Sequence, residues 1–143
     1  MPHTFEVQIR STTGLRGEAS PVGAAPAVPF SVPKDFGGPG GEWTPEHFLA
    51  ASISSCVMAT FLTIAGMSKL AVAGYESSAT CTMEKSPEGY RITGVSLAVK
   101  IRVSADKDVE RAQRMIEKAE KMCPISNSMK PPVTLSAVVE RAG

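Results

Sequence analysis

Little in this chain invites a nucleic acid, a metal ion or an export pathway. Fifteen basic residues stand against fourteen acidic ones, a formal net charge of +1. No block of Lys and Arg stands out, so the electrostatic footprint of a nucleic-acid binder is missing. The two histidines, His3 and His47, are isolated, and there is no Cys-x-x-Cys pair. His47 precedes Cys56 by nine residues, about half a turn out of phase on a helix, so no metal site is expected. The opening, MPHTFEVQIR, has no basic stretch followed by an apolar one, and no secretory signal is expected. Cysteine is scarce and odd in number, with Cys56, Cys81 and Cys123 alone. That count argues against a permanent disulfide framework and for a reducing, cytoplasmic setting, where cysteines are either packing or chemistry. Internal repeats and low-complexity tracts are absent.

One long uncharged run is present. Residues 48–67, FLAASISSCVMATFLTIAGM, are long enough to cross a bilayer. Five of them are Ser or Thr, and the flanking segments alternate like a soluble α+β protein, so the run reads as a buried core helix and no membrane partner is expected. With 143 residues and 43% hydrophobic content, residues 1–143 suffice for one domain with a real core and no disulfide staples.

The remaining pattern is that of an α+β domain built on antiparallel sheet. HTFEVQI places Phe5, Val7 and Ile9 on one strand face, STTG is a turn, and a return strand follows from Leu15. APAVPFSVP is apolar but rich in proline, so it is an edge strand at best. PKDFGGPGGEW is a loop. Thr44 then suits an N-cap, Pro45 the first helical position and Glu46 the positive end of a helix running to about Gly66. Its many small residues predict a central helix packed on several sides. YESSATCTM and YRITGVSLAVKIRV form a hairpin around KSPEG, with Val95, Leu97, Val99, Ile101 and Val103 on one face. A helix follows from about Asp106 to Met122, with Val109, Ala112, Ile116, Ala119 and Cys123 on one stripe. Pro124 disfavours helix at Cys123 and sets that residue at the helix end. VTLSAVV closes the chain as a strand.

Free cysteine often does nothing but pack, and Cys81, alternating with Ala79 and Met83 in a strand, takes that reading. A working thiol needs a nearby cation or helix terminus. A peroxide-reducing thiol also needs a second thiol to resolve its sulfenic acid. Cys56 lies mid-helix, where burial alone keeps a thiol protonated and inert. It therefore needs a positive partner from elsewhere, and Arg16 in GLRGEAS is available; spacing alone does not bring the two together.

GGPGGEWTPEHFLAASISSCVMATF and CPISNSMKPPVTL resemble the two signature blocks of the OsmC/Ohr family, the osmotically inducible and organic hydroperoxide resistance proteins. The resemblance covers most of the chain. It implies an OsmC-like fold, an intertwined homodimer and a thiol-dependent peroxidase acting on organic hydroperoxides. It further implies that Cys56 is the peroxidatic cysteine, Cys123 the resolving one, Arg16 the activating arginine and Glu46 the carboxylate that orients it. The reductant implied is an external dithiol, in the family a lipoylated protein, with no bound cofactor. Trp43, Phe48, Met58 and Phe61 are candidates to line an apolar substrate pocket. The Ohr branch usually has Asn-Pro-Glu where this chain has Thr44-Pro45-Glu46, and an aromatic where Ile125 follows Pro124. The other reading left open is a non-catalytic dimer holding an apolar molecule in the same cleft.

Overall fold

The chain begins as a three-stranded antiparallel sheet held together by a tight turn and an edge strand. The computed structural model describes residues 2–23 and 25–143. Strands β1 (Val7–Ser11) and β2 (Arg16–Pro21) pair in the register Ser11 opposite Gly17. Gly14, at φ +55°, takes the left-handed conformation the turn requires. The Arg16 N–H donates to the Thr13 carbonyl at 3.1 Å, which fixes Arg16 as the first residue of β2. β3 (Val28–Ser31) pairs with β2 and sits at the sheet edge, where Pro29, lacking an N–H, is tolerated. The Phe5, Val7 and Ile9 face is uncovered, at 93%, 59% and 61% exposure.

After the loop comes α1 (Pro45–Met67), unbroken over its whole length. The Thr44 hydroxyl accepts the His47 N–H at 3.3 Å, the N-cap bond expected from the sequence. Ala50, Ile53, Val57, Phe61 and Ala65 form its single buried stripe. Ser55, Ala59, Leu62 and Gly66 are exposed, so within the single chain the helix is covered on the side of that stripe, and the face that carries these small residues is open. A helix laid on one sheet buries only the stripe that faces it. α1 is long and apolar enough to span a membrane by length and composition, but Ile53, Val57, Phe61 and Ala65 of that stripe belong to the main core cluster.

β4 (Val72–Ser86) and β5 (Gly89–Val103) form the expected hairpin, closed by Pro87 and Glu88 between Ser86 and its partner Gly89. Next come α2 (Val109–Met122), a single turn α3 (Pro124–Asn127) and β6 (Val133–Arg141). Here the sheet departs from the all-antiparallel expectation: β6 lies parallel to β5, Val95 opposite Val133. The connection through residues 104–132 carries α2 across, and a crossover of that kind returns the chain in its original direction. The core joins Val95, Leu97, Val99, Ile101 and Val103 of β5 to the α1 stripe and to Ala112, Ile116, Ala119 and Cys123, the stripe read from the sequence.

By its internal contacts the chain, read from sequence as one domain, divides into two compact units, Met1–Phe48 and Leu49–Gly143, with the boundary inside α1.

Candidate active site

The periodicity of α2 delivers a cysteine to the core at the helix end. Pro124 stops the helix, so Cys123 is its C-cap, with extended backbone at φ −65° and ψ 115°. Its side chain is fully buried. Cys56 sits half-buried on α1, between Ile53 and Val57 of the buried stripe. The two side chains, 67 positions apart in sequence, lie near enough that Cys56 perturbs the Cys123 thiol. Cys123 also caps α3, its Sγ accepting the Ser126 N–H at 3.4 Å. The Ser126 hydroxyl in turn donates to Glu120 Oε1 at 2.9 Å. Burial pushes the Cys123 thiol up, and the neighbouring Cys56 pushes it further; the N–H groups of Ser126 and Ile125 pull the other way. Cys123 is therefore held as a thiol beside a second sulfur. Cys81, opposite Val95 on β4, packs against the core.

The arginine half belongs to the first unit. Arg16 and Ser31 are direct cross-strand partners. The Ser31 N–H donates to the Trp43 carbonyl at 2.8 Å, which pins the loop before α1 against β3. That pin sets Glu42 beside Arg16. Arg16 Nε donates to Glu42 Oε1 at 3.0 Å and to Oε2 at 3.3 Å. The expected partner, Glu46, is half-buried in the first turn of α1. Its carboxylate has no hydrogen bond or ion pair among the described residues. The Ser31 hydroxyl, on a residue 1% exposed, also lacks a partner among them.

The four pocket candidates divide. Trp43 stacks on Phe48 with ring centroids 5.5 Å apart, and Phe48 meets the edge of Phe30, also at 5.5 Å. Met58 is half-buried on α1. Phe61 is fully buried against Tyr75 and lines no open cleft. Sequence reasoning missed a cavity of about 370 Å³ lined by Arg16, Leu15, Phe30, Ser31, Val32 and Pro45. It missed Glu42 as well: a carboxylate in a Gly-rich loop carries no periodic signal. A larger depression, about 480 Å³, lies on the outer face of the β4–β5–β6 sheet around Ser78, Ala98, Lys100 and Ser136, with no sulfur in its lining. Among the described residues no three His, Cys, Asp or Glu side chains gather to hold a metal ion.

A family model described as OsmC-like protein matches residues 38–137. An organic hydroperoxide resistance protein of Xanthomonas axonopodis pv. citri is 29% identical over 126 residues, covering 87% of this chain and 86% of that protein. An OsmC-like protein of unknown function from Vibrio cholerae has the same fold, with a TM-score of 0.85 and 19% identity over 96% of this chain and all of that one. A Legionella pneumophila protein described as an organic hydroperoxide resistance protein OsmC superposes with a TM-score of 0.74 at 22% identity, over 96% and 97% of the two chains.

Proposed function

The chain belongs to the OsmC-like family, and from that premise we propose that it is a cytoplasmic thiol peroxidase that reduces organic hydroperoxides to alcohols. A peroxide-related role is supported by relatives named organic hydroperoxide resistance protein. The observation that carries the cysteine mechanism is the proximity of Cys56 and Cys123. Two neighbouring thiols meet the need for a resolving partner, and their unequal burial supports the division of roles. The Cys123 proton is held on, by burial and by the neighbouring sulfur, which suits Cys123 to attack second, and Cys56 is the more open of the two.

The Cys56 thiolate attacks the outer oxygen of the hydroperoxide. The O–O bond breaks, the alkoxide takes a proton and leaves as alcohol, and the sulfur, oxidised by two electrons, becomes a sulfenic acid. Cys123 then attacks that sulfur; hydroxide departs with the Cys123 proton as water and a disulfide closes. An external dithiol, of the kind a lipoylated protein presents, returns two electrons by thiol–disulfide exchange. Arg16 stabilises the Cys56 thiolate, because a planar guanidinium serves a carboxylate and an anionic sulfur at once.

Glu46 and Cys56 sit ten residues apart on one unbroken helix, about 15 Å of axial rise. A glutamate side chain does not span that length. For Glu46 to serve an arginine touching Cys56, it must come from the other subunit of a homodimer, which then carries two shared sites.

Counting free thiols after mixing reduced protein with stoichiometric organic hydroperoxide tests the proposal. Loss of two thiols per chain is expected, with the Cys81 thiol still reduced. No loss would replace the enzyme by a dimer that merely holds an apolar molecule.

A further inference from the structure

We propose that Glu42 is a positioning residue for Arg16, holding the guanidinium from within its own chain so that its two terminal nitrogens stay free for the reacting sulfur. The inference rests on the peroxidase reading above and adds a residue to it. Three observations carry it. Both oxygens of Glu42 engage Arg16 through Nε alone, at 3.0 and 3.3 Å. The terminal nitrogens of Arg16 have no partner among the described residues. The segment that presents Glu42 is fixed at its next residue, since the Trp43 carbonyl accepts from Ser31, the strand partner of Arg16, and the Trp43 ring stacks on Phe48.

The geometry divides the guanidinium's work. A carboxylate that took both terminal nitrogens would leave only Nε for a sulfur. A carboxylate on Nε leaves the planar fork open, and the fork is where Arg differs from Lys. Gly41, at φ +74°, bends the chain into Glu42, in the left-handed conformation that glycine adopts without strain. Glu42 and Arg16 are partly exposed, at 32% and 47% of their side-chain surface, so their value lies in aim rather than in stability, and salt weakens the hold.

Glu42→Gln, compared with Arg16→Ala and the double variant, tests the assignment. Glu42→Gln should slow the first thiol oxidation by up to about a hundredfold, the order a misplaced catalytic group can cost. Disulfide closure, which needs only the two sulfurs, should keep its rate. The parent's advantage over Glu42→Gln should shrink at high ionic strength, and Glu42→Gln should change nothing further in an Arg16→Ala background. A parent-like first oxidation in Glu42→Gln, or an equal slowing with and without Arg16, would overturn the proposal. The Arg16 Nε–H resonance in a nitrogen-15 spectrum reads the hold without reference to turnover. It should move in Glu42→Gln and stay in Glu46→Gln. If the parent consumes no hydroperoxide while this resonance still follows Glu42, the peroxidase reading fails and the hold stands. If the resonance ignores Glu42, the hold itself is wrong.

Discussion

At the scale of single residues, the two sulfurs and one phenol give separable predictions. Cys56→Ser should abolish hydroperoxide consumption and leave the circular dichroism spectrum unchanged, because the replacement is nearly isosteric and no disulfide is structural. Parent-rate consumption would remove Cys56 from its role. Cys123→Ser should permit the first oxidation and strand the sulfenic acid, so that excess peroxide drives Cys56 to sulfinic and sulfonic forms seen as added oxygens in the intact mass. An unmodified Cys56 after that treatment would speak against resolution by Cys123. Tyr75 offers a test by pH. Its hydroxyl is buried without a partner among the described residues, and burial pushes its pKa from 10.0 to about 12. A folded pKa above the unfolded one means that the native state keeps its proton longer than the unfolded chain does. Stability is then full below about pH 10 and is lost as pH rises through about 12. The Cys123 thiol, also raised, adds to the same alkaline loss beginning from its reference value of 9.0. Urea unfolding of Tyr75→Phe should show a shallower alkaline decline than the parent. It should also show equal or greater stability at pH 7, since an unsatisfied buried hydroxyl has been removed. An unchanged alkaline slope would rule out Tyr75 as its source.

At the scale of elements, α2 is the piece on which the thiol pair depends. Its stripe of Ala112, Ile116 and Ala119 leads directly to Cys123, so the packing that holds the helix also aims the sulfur. Ile116 is fully buried, and Ile116→Ala should cost about 2–5 kcal/mol in chemical denaturation, as large-to-small core changes do. A variant that still folds should close its disulfide more slowly than the parent while oxidising Cys56 at the parent rate. A loss below about 1 kcal/mol would mean that the site refills and the stripe is not the core's anchor. α1 plays a different part. Its cap and first turn belong to the arginine half, while its middle carries Cys56. Being continuous, it cannot bring its own Glu46 to its own Cys56.

At the scale of the whole molecule, that rigidity becomes a statement about assembly. If each site takes Cys56 from one chain and Glu46 from the other, neither Cys56→Ser nor Glu46→Ala homodimers work well. A mixed dimer nevertheless contains one site with both residues intact. Activity should therefore rise when the two variants exchange subunits. No recovery, with mixed dimers visible by native mass spectrometry, would exclude the shared site. The apolar surface that α1 and β1 leave open, including Leu62, Met67, Phe5 and Ile9, is the material such an assembly would cover.

The order of strands and helices was legible from the sequence because it rests on local rules. Alternation marked β1, β4, β5 and β6, a period near 3.6 marked α2, and Thr44, Pro45 and Pro124 marked where helices begin and stop. The Cys56–Cys123 pair was read as one site because two motif blocks resemble a family, Arg16 was singled out as the cation that a mid-helix thiol needs and by the same resemblance, and Cys123 was placed at its helix end by the proline after it. Three matters were decided only by tertiary structure. The parallel pairing of β6 depends on which way a crossover returns, and no residue in VTLSAVV encodes that. The choice of Glu42 over Glu46 as the arginine's partner in the chain depends on the bond from Ser31 to Trp43, which joins segments that no periodicity relates. The proximity of two sulfurs 67 positions apart depends on α1 and α2 sharing one core, since helical period fixes the face a cysteine occupies but not what that face will meet.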